Sequence, residues 1–363
     1  MKINFDSPYR LDDGYGNVGE QILLALDRHP EVEVYTSNSW PKVNSNIRKG
    51  LSKRTIDLWS RGFNKGAEFS IRFCQPDSFS NAPACTRAKI GWSMWEFTNI
   101  PQAWVSGSNS VPAVFVPCLH NKELWVRAGT RVPVHVVPLG INKYVFYYRP
   151  DNTFDGPRMV STCTEPVEYR RTFNGFTFMM TGTVCPRKQP RLVYDTFNKL
   201  FADKNDVRLI MKTPKRMPLG YKETHNIKII AETWNPVRIA DLLRESDCFL
   251  YPTRGEGFGL SPVEAMAVGS TAIVTDWSGP ADYLDDEYAY KLGYTLDGKV
   301  GSHWGDIFGF PTPDAKQFEE LVWHVYTHQD EARDKGKLAA KYVANHLTSD
   351  HTAQRIVDIL RGM

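Results

Sequence analysis

The stretch from Phe249 to Asp276, FLYPTRGEGFGLSPVEAMAVGSTAIVTD, constrains the fold more than any other. Apolar runs of strand length flank a glycine loop and a short helical segment, giving the strand, loop, helix, strand order of a parallel α/β sheet. Ser261 stands where an N-cap belongs, Pro262 falls at the first helical position, and Glu264 at the third completes a capping-box pattern. Gly269 is placed to stop the helix in a left-handed conformation. A helix start fed by small glycines offers unpaired backbone N–H groups and a positive dipole end, which suits a phosphate or diphosphate.

Two carboxylates, Glu256 and Glu264, frame this loop with seven residues between them. A carboxylate only accepts hydrogen bonds, so beside an anion site it serves sugar hydroxyls and not phosphates. Glu264 has a second reading as a simple cap residue. Glu256, between Gly255 and Gly257, has no helix to cap.

The string EGFGLSPVEAMAVG, from Glu256 to Gly269, resembles the E-x7-E signature of retaining glycosyltransferases of family 4, which have the GT-B fold. The resemblance implies that Glu256 faces the donor sugar. It implies that the amides of Gly257, Phe258, Gly259 and Leu260 approach the sugar and diphosphate, and that Glu264 binds the ribose hydroxyls. The fold so implied is α/β, with two Rossmann-like doubly wound parallel-sheet domains facing across a cleft.

The N-terminal half fits that expectation. Lys2 to Phe5 reads as a strand, Asp12 to Gly19 as a turn-rich loop, and Ile22 to Leu26 as a helical pattern. No clear acidic ribose ligand follows these glycines, which disfavours NAD. By resemblance, Gly16 and Gly19 lie against the donor diphosphate. Further strands are expected at Val32 to Tyr35, Ser70 to Cys74, Lys89 to Ser93, Ala113 to Val116 and Val134 to Val137. Trp95 and Glu96, in an aromatic segment, are either core packing or part of an acceptor site. Val136 to Asn142 resembles the family's exit from its first domain. We expect an acceptor-side domain over 1–148, a donor domain over 149–345, and a helix over 346–363 returning to the first domain. The stretch Lys42 to Lys65 is rich in basic residues, with Asp57 as counter-charge and Trp59 and Phe63 interleaved. It is either a solvated face or a surface for a polyanion such as DNA or an anionic membrane.

The second half begins at Phe176 to Met180. The following Thr181 to Lys188 resembles the family segment in which a glycine precedes Arg and, further on, Lys. Lys188 has the expected spacing from Gly182, whereas Thr183 stands in place of the Arg, and Arg187 is the available substitute. Such cations stabilise a departing diphosphate. Strands are expected at Val207 to Met211 and Ile227 to Ile230, and an amphipathic helix at Val237 to Glu245. Trp234 reads as packing within a turn where the family holds its nucleobase. Tyr288 to Pro311 has no clear period and reads as an elaborated loop. Helices are expected at Asp314 to His328, Glu331 to His346 and Ala353 to Leu360.

At 363 residues the chain is long for one core, and its 44 basic and 41 acidic residues give a net charge of only +3. Six cysteines without CxxC spacing read as reduced thiols, so neither a disulfide framework nor a zinc site is expected. There is no DxD-type metal motif, no secretory h-region and no transmembrane run, which points to a cytoplasmic protein. The expected function is metal-independent, retaining transfer of a sugar from a UDP- or GDP-linked donor to a hydroxyl acceptor. That acceptor is a saccharide, another small hydroxyl compound or a hydroxylated DNA base. No cofactor is expected. A non-catalytic nucleotide-sugar binder is the alternative, kept open by Thr183.

Overall fold

The computed structural model describes residues 1–9, 14–37, 51–149, 173–302 and 305–363. Internal contacts divide the chain into two units, one containing Met1–Asn142 and Leu347–Met363, the other containing Glu165–His346 with the segment from Lys143.

The first unit is built on six strands: β1 (Lys2–Asp6), β2 (Glu33–Tyr35), β3 (Phe69–Phe73), β4 (Ala88–Trp92), β5 (Ala113–Val116) and β6 (Val134–Val136). Their order is β2-β1-β3-β4-β5-β6, and all neighbours are parallel. Helices α1 (Gly14–Arg28), α2 (Lys53–Ser60), α3 (Gln102–Ser108) and α4 (Leu119–Arg127) connect them. The helical segment starts at Gly14, so residues 14–19 are helical where the sequence suggests a loop. Gly19 shows why: a Cβ there would sit 2.0 Å from Ser7 Oγ, so the bare glycine lets α1 press onto the end of β1. That packing outweighs the poor helix propensity of three glycines.

The C-terminal helix, Ser349–Arg361, counts with this unit. Thr348 and His351 cap its start reciprocally. Arg28 of α1 pairs with Asp350 at 2.6 Å, and Thr352 Oγ1 donates to Pro138 O at 2.8 Å.

In the second unit the strands are β7 (Phe176–Thr181), β8 (Val207–Thr213), β9 (Ile227–Ala231), β10 (Cys248–Tyr251), β11 (Thr271–Thr275) and β12 (Tyr290–Leu292). They are again all parallel, in the order β12-β11-β10-β7-β8-β9. Strands FTFMMT, CFLY and TAIVT are buried along their whole length, as expected of a parallel sheet covered on both faces. The connecting helices are α5 (Pro190–Phe201), α6 (Pro236–Leu243) and α7 (Leu260–Ala267), with α8 (Ala315–Thr327) and α9 (Gln329–His346) following the sheet. Phe178 stacks on Phe201 of α5 at 5.8 Å, tying the central strand to that helix. Loss of a buried ring of this kind costs about 3–5 kcal/mol.

Tyr288 to Pro311 is not a structureless loop. It contains β12 and most of an antiparallel hairpin of β13 (Tyr294–Ser302) and β14 (Gly305–Pro313). Register shifts around Gly298 break the alternation that would have marked it in the sequence. Five cysteines are free: Cys74, Cys85, Cys118, Cys185 and Cys248. Cys163 lies outside the described residues. No helix among those described is long and apolar enough to cross a membrane.

Candidate active site

Strand order in the second unit reverses between β7 and β10, the first and fourth strands of that unit, and the loops leaving their C-terminal ends meet there. Crevices at such switch points are where open α/β sheets bind ligands.

The β10 loop is held from behind. Ser278 Oγ accepts from Glu256 N at 3.1 Å and donates to Glu256 O at 2.7 Å. To do so Ser278 adopts φ 57° and ψ −135°, a conformation that non-glycine residues rarely hold. Beside it, a Cβ on Gly279 would lie 2.4 Å from Phe258 Cα, so only glycine fits under the loop.

Helix α7 begins two residues earlier than the capping pattern suggests. Its N-cap is Gly259, left-handed at φ 87°, with no side-chain cap, and Ser261 and Pro262 lie inside the helix. Tyr283 explains the shift, because its hydroxyl donates to Gly259 O at 2.7 Å and fixes the turn. Glu264 is therefore the fifth helical residue and has no part in a capping box. The far end is as expected: Gly269 has φ 98°, its N–H reaches Met266 O, and Ser270 N reaches Ala265 O, a Schellman motif. At the near end, the amides of Phe258, Gly259 and Leu260 find no acceptor among the described residues. The Phe258 ring is buried against Tyr283, so its amide is the part left for a ligand.

Glu256 is 8% exposed and carries a dense set of partners on one oxygen. Its Oε1 accepts from Tyr251 OH at 2.7 Å and lies 2.6 Å from Arg187 Nη1 and 3.7 Å from Lys188 Nζ. Arg187 also donates to Gly255 O, and Lys188 Nζ donates to Tyr251 OH at 3.0 Å. Burial pushes the Glu256 carboxyl up, but Arg187, Lys188 and the Tyr251 hydroxyl outweigh it and hold the acid below its ordinary value. It is ionised at neutral pH, and Oε2 remains open to a ligand hydroxyl among the described residues. Among the described residues two cations here meet one carboxylate, an arrangement that suits a diphosphate.

Glu264 has the opposite environment. It accepts no hydrogen bond among the described residues, and desolvation raises its carboxyl to about 8 against a weaker opposing pull from Lys188. It is a mostly protonated acid at neutral pH until a ligand supplies donors.

The remaining expected positions are more dispersed. Gly16 and Gly19 lie in α1. Trp95 is 3% exposed, packs 4.6 Å from Trp104, and donates its indole N–H to Asn99 O at 2.7 Å. Glu96 is half-buried beside it. Of the basic stretch, Lys42, Arg48 and Lys49 fall outside the described residues. Within it, Arg54 forms a two-pronged pair with Asp27 at 2.7 Å, a counter-charge that local sequence does not reveal.

Tyr251, Ser278, Gly279 and Tyr283 were not legible as site residues. Only Tyr251 carried a signal, a polar-tipped aromatic ending a buried strand. Among the described residues no cluster of His, Cys, Asp and Glu could hold a metal.

Residues 173–299 match the family model described as glycosyl transferases group 1. A probable sucrose-phosphate synthase of Thermosipho melanesiensis is 23% identical over 182 residues, which are 46% of this chain and only 38% of that protein. Among solved structures, sucrose-phosphate synthase from Thermosynechococcus elongatus gives a TM-score of 0.67 at 12% identity, covering 100% of this chain and 98% of that one. Anabaena HepE in complex with UDP and glucose gives 0.64 at 13% identity over 100% of both chains. The fold is therefore GT-B, and the match to the glycosyl transferases group 1 model falls within the second unit.

Proposed function

We propose that the protein is a retaining glycosyltransferase that moves a sugar from a nucleotide diphosphate to a hydroxyl acceptor without a metal ion. The observation that carries this is the cluster at the β7 and β10 loops: amides at residues 258–260 without acceptors among the described residues, and the cations Arg187 and Lys188 gathered on an ionised Glu256. HepE, similar in fold, is known with UDP-glucose bound, which favours a nucleoside diphosphate sugar here too.

In this reading the bond from sugar C1 to the diphosphate oxygen breaks while the acceptor oxygen attacks the same face. The acceptor proton passes to the departing diphosphate. Arg187, Lys188 and the loop amides stabilise the charge on that leaving group. Glu256, fully ionised, orients a sugar hydroxyl and is no proton donor. Glu264 accepts the ribose hydroxyls, as the family resemblance implies. Arg187, already in the cluster, supplies the charge that Thr183 lacks.

The acceptor is a saccharide or small hydroxyl compound, with Trp95 and Glu96 on the acceptor side; Gly19 packs against Ser7 and is left out of the donor site. A hydroxylated DNA base is the second acceptor, favoured only by the basic stretch 42–65. We place the protein in the cytoplasm. The test is to incubate the chain with UDP- and GDP-sugars and an acceptor panel and to read the product by NMR. A product with the donor's anomeric configuration supports the proposal; an inverted product removes the retaining mechanism. Binding of donor with neither transfer nor slow hydrolysis would leave a nucleotide-sugar binder.

A further inference from the structure

Beside the charged cluster, the ends of β7 and β8 border an open pocket of about 210 Å³, counting the part open to solvent. Met180, Met211, Met217 and Val184 give it apolar walls, and Lys212 is the one charged lining residue among those described.

Lys212 is an unusual neighbour for such walls. It is 7% exposed, yet its ammonium makes no hydrogen bond and no ion pair among the described residues. Its nearest compensation is the Trp234 ring, 5.7 Å from Nζ to centroid. Glu232, the carboxylate whose charge acts on Lys212, is engaged elsewhere: it accepts from the Trp234 indole at 2.6 Å and lies 3.5 Å from Arg238. Burial depresses the Lys212 amine, as expected of a cation short of acceptors.

Position along the sheet suggests what would supply the acceptor. Successive strands β10, β7 and β8 carry Glu256, Lys188 and Lys212 at or just beyond their C-terminal ends. With ~4.8 Å between strands, Lys212 lies roughly 10 Å along the sheet from the β10 loop. A nucleotide sugar with its sugar at Glu256 and its diphosphate at Lys188 puts its base at the pocket.

We propose that Lys212 is a specificity-determining residue that donates to a ring carbonyl of the donor's nucleobase, so that the site takes uracil or guanine nucleotides over adenine and cytosine ones. This rests on the donor reading above. A lysine ammonium has three donors and no acceptor. Uracil O4 and guanine O6 are acceptors, whereas adenine N6 and cytosine N4 at the matching edge are donors and meet Lys212 with like hydrogens.

The test is calorimetric titration of UDP, GDP, ADP, CDP and inorganic pyrophosphate into the wild type, Lys212→Met and Lys212→Arg. Expected is a wild-type preference for UDP or GDP that Lys212→Met erases, weakening the keto nucleotide by about 10- to 100-fold, the scale of one hydrogen bond to a charged group. ADP and pyrophosphate binding should not change, which also shows that the variant is folded, and Lys212→Arg should keep the preference. If UDP or GDP binds equally well to Lys212→Met, the inference about Lys212 fails and the donor reading stands. If pyrophosphate weakens as much as UDP, Lys212 contacts phosphate and the base assignment is wrong. If none of the four nucleotides binds the wild type, both fall.

Discussion

In the first unit, the strand order reverses between β1 and β3, and what lies there is closed: Asp6 is buried in an ion pair with Arg72, and Gly19 packs on Ser7. In the second unit, the reversal between β7 and β10 is lined by groups with capacity to spare. Among the described residues, the amides of 258–260 lack acceptors and Glu256 has one oxygen without a partner, with Arg187 and Lys188 beside it. Both places have a strand, glycines and a helix start. The difference teaches that glycine by a helix start is not itself evidence of a binding site. In α1 the glycine serves close packing, whereas at Gly259 it serves a left-handed turn that leaves backbone donors unused.

The sharpest way to break this comparison is Glu256→Gln. It keeps the shape but removes the charge that Arg187 and Lys188 surround, and transfer should fall by about 10²- to 10³-fold in kcat, the scale of losing one preorganised electrostatic contact. Donor affinity should change by only a few-fold. A variant with full turnover would mean that the β10 loop is no more functional than the β1 loop.

Lys188→Met should cost about 10²-fold in kcat/KM by removing charge from the departing diphosphate, measured with a saturating acceptor. Gly19→Ala should do the reverse. Its Cβ would strike Ser7 Oγ, so we expect a loss of about 1–3 kcal/mol in stability by denaturant unfolding, with donor affinity preserved. A large affinity loss without a stability change would show that α1 binds ligand directly.

The smallest effect separates the two acids by pH. Glu256 has a lowered folded value, so its contribution to stability is present above the ordinary carboxylate range and is lost as pH falls through the folded value. Glu264, raised to about 8, runs the other way: its contribution is full below the ordinary value and is lost as pH rises towards 8. Glu264→Gln should therefore gain on the wild type in Tm between pH 5 and pH 9, while Glu256→Gln should lose ground on raising the pH from 3 to 6. Parallel pH profiles for the two variants would contradict the assigned environments.

Much of the scaffold was legible because buried parallel strands leave unbroken apolar runs, as FTFMMT and TAIVT do. Glu256 and Lys188, the positions the motif resemblance singles out, lie 3.7 Å apart, and Arg187, offered in place of Thr183, joins them. What escaped the sequence depended on partners remote in the chain. The start of α7 moved because Tyr283 pins Gly259, and a local capping pattern carries no information about a residue 24 positions away. The hairpin escaped because Gly298 interrupts its period where Arg254 packs against it. Ser278 escaped because nothing in a serine's identity announces a left-handed backbone.

That last residue sets strain against grip. Glycine at 278 would relieve about 1–3 kcal/mol of torsional strain, but it would lose the buried hydroxyl that serves both Glu256 backbone groups, a cost of about the same size, and add ~0.4–1 kcal/mol of unfolded-state freedom. The two nearly cancel in the stability of the folded chain. What serine alone adds is a Glu256 peptide held rigid, and a chain without it would turn over more slowly.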